Sequence, residues 1–148
     1  MNNWVHLCID MQRMFAENTP WHVPWMARVS DEIVKLSERF PDRTIFTRFI
    51  TPERASDMPG MWKSYYEKWE EMTRAVLPLQ FLDIVPDLAR LVPPARIFDK
   101  LTYSPWTSGG LHSTLQKRWR GQHWSLREAR PTCASVRLQL EALSLVTK

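Results

Sequence analysis

The sequence predicts an α/β fold on a parallel sheet, and three observations predict it. Residues 5–10 are a short apolar run that reads as a buried strand, residues 44–50 are β-branched and aromatic, and residues 95–100 form a third, brief strand that ends in a charge. Between them lie segments with helical spacing or turn residues, so strands and helices alternate, as right-handed crossovers require. Two of the runs end in a charge, Asp10 and Lys100, at the carboxyl ends of strands where parallel sheets place their chemistry.

Taken in order, Val5, Leu7 and Ile9 alternate with His6 and Cys8 in the first strand, and Cys8 reads as a buried core thiol. A loop with Phe15, Pro20, Trp21, Pro24 and Trp25 follows. Met26, Val29, Ile33, Leu36 and Phe40 recur at steps of three and four and predict a helix over 26–40. Pro41 and Asp42 stop it, and the second strand begins at Thr44. Pro52, Pro59 and Gly60 make 51–60 a loop, and the Trp- and Tyr-rich stretch 61–76 reads as helical. A short helix over 83–91 is cut by Pro93 and Pro94, and the third strand follows. Ser108, Gly109 and Gly110 then lead into a helix through Leu111, Leu115 and Arg118.

The chain has 148 residues, which suits one domain, and 44% apolar with 24% charged residues excludes a disordered composition. No run approaches the ~18 apolar residues of a membrane span. The first residues, Met1 to Trp4, lack the basic start of a secretory signal, and the two cysteines form no disulfide framework. The expectation is a cytoplasmic protein.

The net charge of +4 is unevenly spread: residues 117–148 hold seven of the 20 Lys and Arg but two of the 16 Asp and Glu. A basic tail is one signature of nucleic-acid contact, but no nucleic-acid motif accompanies it here. An α/β chain also needs a fourth strand after Arg120, and no four apolar residues stand together before Pro131.

Leu7-Cys8-Ile9-Asp10-Met11-Gln12, with Phe15 and Asn18 behind it, resembles the opening of the isochorismatase-like cysteine hydrolases. Phe98-Asp99-Lys100-Leu101-Thr102-Tyr103-Ser104-Pro105-Trp106 resembles that family's lysine segment, and the spacing from Asp10 to Lys100 fits. The resemblance covers roughly residues 4–118 and implies a three-layer, mostly parallel Rossmann-like sheet, incomplete at the C-terminus. It implies a hydrolase of a small amide or an isochorismate-type substrate, with a Cys-Asp-Lys triad. Asp10 would take the thiol proton, and Lys100 would favour the thiolate. By spacing, Cys133 occupies the nucleophile position, 33 residues after Lys100. Its context, Arg130-Pro131-Thr132-Cys133-Ala134-Ser135, lacks the family's Val-Thr-Gly-Gly-x-Thr-x-Val-Cys-Val segment, and Pro131 removes a backbone N–H. Cys133 therefore reads more readily as an incidental thiol.

The codons allowed for residues 121–135 offer a reason. Read from the third base of the Gly121 codon, successive junctions permit Leu-Val-Val-Thr-Gly-Gly-Glu-Thr-Asp-Val-Cys-Val, the missing strand and nucleophile motif in register. We therefore read residues 1–120 as a partial isochorismatase-like domain and 121–148 as an atypical basic tail, translated out of frame. The expected consequences are lost hydrolase activity and marginal stability, because the first strand loses a neighbour. A non-catalytic remnant, or an interaction partner of an intact relative, is the alternative.

Without the resemblance, Asp10 reads more readily as a strand-end carboxylate capping a turn. The tryptophans are core and loop packing, with Trp21, Trp25, Trp62 and Trp106 placed so that some would line an aromatic pocket. His6, His22, His112 and His123 show no ligand spacing, and residues 51–62 lack the histidine pair of metal-binding relatives. No metal, no cofactor, no nucleic acid and no membrane partner is expected; the partner is a small-molecule substrate, with a homo-oligomer allowed.

Overall fold

The computed structural model describes residues 5–118. The elements are β1 (His6–Ile9), α1 (Arg13–Ala16), α2 (Met26–Arg39), β2 (Thr44–Phe49), α3 (Met61–Lys68), α4 (Pro86–Ala89), β3 (Arg96–Lys100) and α5 (Gly110–Arg118). The three strands form a parallel sheet in the order β1-β2-β3, with Ile9 opposite Thr47 and Phe49 opposite Lys100. All three predicted strands form where their apolar runs lie. The fourth strand, Cys133 and the expected junction at residue 120 lie outside the described residues.

Side chains alternate along a strand, and the sheet is covered on both faces at β1 and β2, while the edge strand β3 leaves Arg96, Ile97 and Asp99 exposed. Leu7, Ile45 and Phe98 meet Leu111 and Leu115 of α5, and Val5 joins them. Cys8 and Phe46 belong instead to the larger cluster with Met11, Met14, Phe15, Tyr66, Met72 and Leu88. Ile33 and Val34 of α2 pack against that cluster. The result is a helix–sheet–helix layering, as predicted.

Three elements differ from the expected pattern. In α2 the inward row carries Ser37, fully buried, while Leu36 is 40% exposed. Packing there selects a small residue over the apolar one. Helix α3 stops at Lys68 because Trp69 leaves helical geometry, at φ −113° and ψ 43°, and sets its ring 6.4 Å from that of Trp21. A 3₁₀ turn, Glu70–Met72, follows. Helix α4 shrinks to a single turn behind Pro86, because Ile84 is drawn into an antiparallel bridge with Gln12. Its flanking bonds run from the Arg13 N–H to the Asp83 carbonyl and from the Val85 N–H to the Met11 carbonyl, both 2.9 Å.

Candidate active site

Residue 10 is where β1 ends, and its backbone shows why the chain turns there. Asp10 adopts φ 56°, the left-handed region that Asp and Asn tolerate better than other non-glycine residues. The turn takes the main chain off the sheet, and two anchors keep the junction tied to β2. The first is the Asp10 N–H, which donates to the Thr47 carbonyl and to the Thr47 hydroxyl, each at 3.2 Å. The second is the fully buried Gln12 side chain. Its amide donates to the Phe49 carbonyl (3.0 Å) and the Leu82 carbonyl (2.7 Å) and accepts the Phe49 N–H (2.6 Å). The side-chain amide thus pairs with β2 as a peptide group would.

The Asp10 carboxylate is held at both oxygens. Oδ1 accepts from the Thr47 hydroxyl at 2.9 Å, and Oδ2 accepts from the Lys100 ammonium at 2.8 Å. Lys100 comes from the end of β3, two strands away, and its stem crosses the end of β2. Its ammonium lies 5.1 Å from the centre of the Phe49 ring and donates also to the Tyr103 carbonyl at 2.8 Å. The Lys100 and Asp10 side chains are 2% and 5% exposed. Sequence reasoning paired these residues across ninety positions, and the fold brings them into contact.

A buried carboxylate against a buried ammonium is costly to desolvate, and such pairs persist where both ends are hydrogen-bonded, as here. The arrangement offers a fixed proton acceptor with an adjacent fixed cation. A thiol brought to this carboxylate could pass its proton to it, while the cation stabilises the resulting anion.

Cys8 is not that thiol. It is buried in the core, and burial, followed by the nearby Asp10 charge, pushes its ionisation far above the ordinary thiol range. A neutral core thiol is the expected reading of that residue, and the structure agrees.

Of the tryptophans, Trp21 lies inside the core, stacked on Phe15 at 6.2 Å. Trp62 sits beside the site: its ring is 5.0 Å from Tyr103, which stacks on Phe49 at 5.8 Å. Trp25 and Trp106 are 40% and 36% exposed. Among the described residues no group of three or more His, Cys, Asp or Glu side chains could hold a metal ion. Likewise no helix there is long and apolar enough to cross a membrane.

Three contributors escape sequence reasoning. Gln12 stood inside the quoted motif without a role, although a polar residue between Met11 and Met14, each buried, is a signal that its amide is spoken for. Thr47 reads as one more β-branched strand residue. The Tyr103 contribution is a backbone carbonyl, which no side-chain pattern reveals.

The family model of the isochorismatase domain matches residues 5–122. No curated protein matches the chain. Among solved structures, a cysteine hydrolase from Pseudomonas syringae pv. phaseolicola 1448A aligns with a TM-score of 0.60 at 22% identity. The alignment covers 77% of this chain and 54% of that one, so the chain spans about half the length of this structural neighbour. At that identity the likeness is one of fold.

Proposed function

The chain belongs to the isochorismatase family, and from that premise we propose that it is the N-terminal part of a cysteine hydrolase whose nucleophile segment has been lost to a change of reading frame. The observation that carries the proposal is the buried contact between Asp10 Oδ2 and Lys100 Nζ at 2.8 Å, a carboxylate set against an ammonium. The substrate class is a small amide or an isochorismate-type vinyl ether. On an amide, the thiol proton moves to Asp10 and the thiolate attacks the carbonyl carbon. The C–N bond then breaks as the leaving amine takes that proton. A water molecule clears the acyl-enzyme, and the thiol is restored. The Lys100 ammonium offsets the negative charge on sulfur.

In the chain as it stands, Cys133 comes close to the family's nucleophile spacing along the sequence without the motif that would aim it, so turnover is expected to be absent. The rest of the reading is a cytoplasmic enzyme of small molecules, with assembly into a homo-oligomer decided by size-exclusion measurement.

The test begins with the nucleotide sequence of codons 119–135. A shifted frame that encodes no Thr-x-Val-Cys run overturns the frame change. If the run is present, the restored-frame protein is assayed on a panel of small amides and isochorismate. Turnover that falls at least about 10²-fold in Asp10→Asn and Lys100→Ala supports the triad. An active protein indifferent to both substitutions refutes it, and Cys133-dependent turnover by the unaltered chain refutes the expected loss of activity.

A further inference from the structure

The Lys100 ammonium carries three hydrogens, and the fold sets three acceptors around it. One is charged, Asp10 Oδ2 at 2.8 Å. The other two are backbone carbonyls of the loop that follows β3, Tyr103 at 2.8 Å and Thr102 at 3.4 Å. The three differ in one respect that matters for a proton carrier. A carboxylate loses its charge when it takes a proton, whereas a backbone carbonyl remains an acceptor throughout.

The loop that supplies the carbonyls is braced. The Tyr103 ring stacks on Phe49 at 5.8 Å and meets Trp62 at 5.0 Å, and Lys100 Nζ lies 5.1 Å from the centre of the same Phe49 ring. Beside it the Thr102 hydroxyl donates to the Ser104 carbonyl at 3.0 Å, and the Trp106 N–H donates to the Ser104 hydroxyl at 3.3 Å. At the other end of the loop the Lys100 carbonyl accepts the Ile50 N–H at 2.9 Å, which ties it to β2.

We propose that Tyr103 is a positioning residue: with its ring braced on Phe49 and Trp62, its carbonyl and that of Thr102 hold the Lys100 ammonium in place while Asp10 is neutral.

The role in turnover rests on the cysteine-hydrolase reading. Before proton transfer the carboxylate and the ammonium balance, and the thiol faces a pair of no net charge. The S–H bond then breaks with its electron pair left on sulfur, and an O–H bond forms on the Asp10 carboxyl. The ammonium now stands unbalanced beside a thiolate, which is when its charge acts on sulfur most strongly. At the same moment it loses the attraction that held it to Asp10. The two carbonyls keep it seated until the leaving amine takes the proton from Asp10 and the pair is balanced again.

Asp10→Asn holds the residue neutral at every pH. The experiment follows the Lys100 ζ group by NMR in the 148-residue chain, with labelled lysine nitrogen and carbonyl carbon. In the unsubstituted protein, coupling across the hydrogen bond should link Nζ to the Tyr103 carbonyl carbon. In Asp10→Asn that coupling should persist. The ζ hydrogens should still exchange with water at least about tenfold more slowly than those of Lys35, the effect of one net hydrogen bond; the Lys35 side chain is 69% exposed. Tyr103→Gly, which removes the brace, should speed Lys100 exchange by at least about tenfold, and Tyr103→Phe should keep it slow. Loss of the coupling in Asp10→Asn, or exchange there as fast as at Lys35, overturns the inference, because the carboxylate alone then holds the ammonium. So does unchanged exchange in Tyr103→Gly. If Asp10→Asn does not fold, Tyr103→Gly against Tyr103→Phe decides alone; if Tyr103→Gly does not fold, Asp10→Asn decides. Turnover is not read here, so a negative result counts against the loop only; failure of the hydrolase reading shows in the amide panel.

Discussion

Replacing Lys100 by Met should be among the most damaging single changes in the chain, and its cost follows from the geometry. The methionine nearly matches the stem in volume, so packing against Phe49 survives and the change isolates the charge. What is lost is a cation 2.8 Å from a carboxylate, with the two side chains 2% and 5% exposed. Removing one member of a buried pair typically costs about 3–5 kcal/mol, because the remaining charge loses its compensation without regaining water. At roughly 2–4 °C per kcal/mol for a chain of this size, the melting temperature should fall by about 6–20 °C near pH 7. Lys35, whose pair with Glu32 is 69% and 77% exposed, is the control, and Lys35→Met should cost under about 1 kcal/mol. Two further signatures are specific to a stranded charge. Acidification should shrink the Lys100→Met deficit, since protonating Asp10 removes the charge. Combining Lys100→Met with Asp10→Asn should recover much of the loss, because the neutral pair leaves no ion to desolvate. Urea and thermal unfolding of the four proteins measure all of this. A Lys100→Met penalty equal to that of Lys35→Met, or one unchanged on acidification, would refute the reasoning.

Gln12→Leu should cost at least about 3 kcal/mol in urea unfolding, since it strips side-chain partners from the Phe49 N–H and from the Phe49 and Leu82 carbonyls; a loss under 1 kcal/mol would contradict the clamp. His6 is held below its ordinary value of 6.5 by burial, so the folded state prefers the neutral ring. Its contribution is present above that value and lost as pH falls below it toward the folded value. Stability should accordingly drop on acidification below about pH 6.5, and His6→Gln should flatten that part of the profile. Ser37 is fully buried in α2, and its hydroxyl has no hydrogen-bond partner among the described residues. Ser37→Ala should stabilise the protein by about 1 kcal/mol through removal of that hydroxyl and better helix propensity, read as a higher melting temperature.

Strand positions were legible because burial forces an apolar run in β2 most of all, and each of the three runs lies where a strand forms, although β3 keeps Arg96, Ile97 and Asp99 exposed. The pairing of Asp10 with Lys100 was legible only through resemblance; spacing along the chain says nothing about which strand ends converge. Helix limits were less legible, since tertiary contacts set them. Ser37 takes the inward place that periodicity gave to Leu36, and the ring of Trp69 ends α3 early by turning toward Trp21. Hydrogen-bond roles were the least legible. A glutamine or threonine has the same letter whether it faces water or clamps a strand, and the choice depends on backbone groups brought together by the fold.

Gln12 has a mechanical consequence for the residue it sits beside. The last peptide rung between β1 and β2 is the bond from the Asp10 N–H to the Thr47 carbonyl, and the Gln12 carboxamide takes the next place on β2 at Phe49, so the chain leaves the sheet and is fastened again within two residues. Asp10 lies between these two anchors, tied to the sheet on either side although it lies beyond the last residue of β1. Its motion should therefore be that of a strand and not of a loop. The entropy of immobilising the carboxyl is lost when the chain folds, so none of it remains to be lost when a substrate binds. Exchange of the Phe49 amide would report on this directly: if the splice holds, that proton is released only when the whole sheet opens.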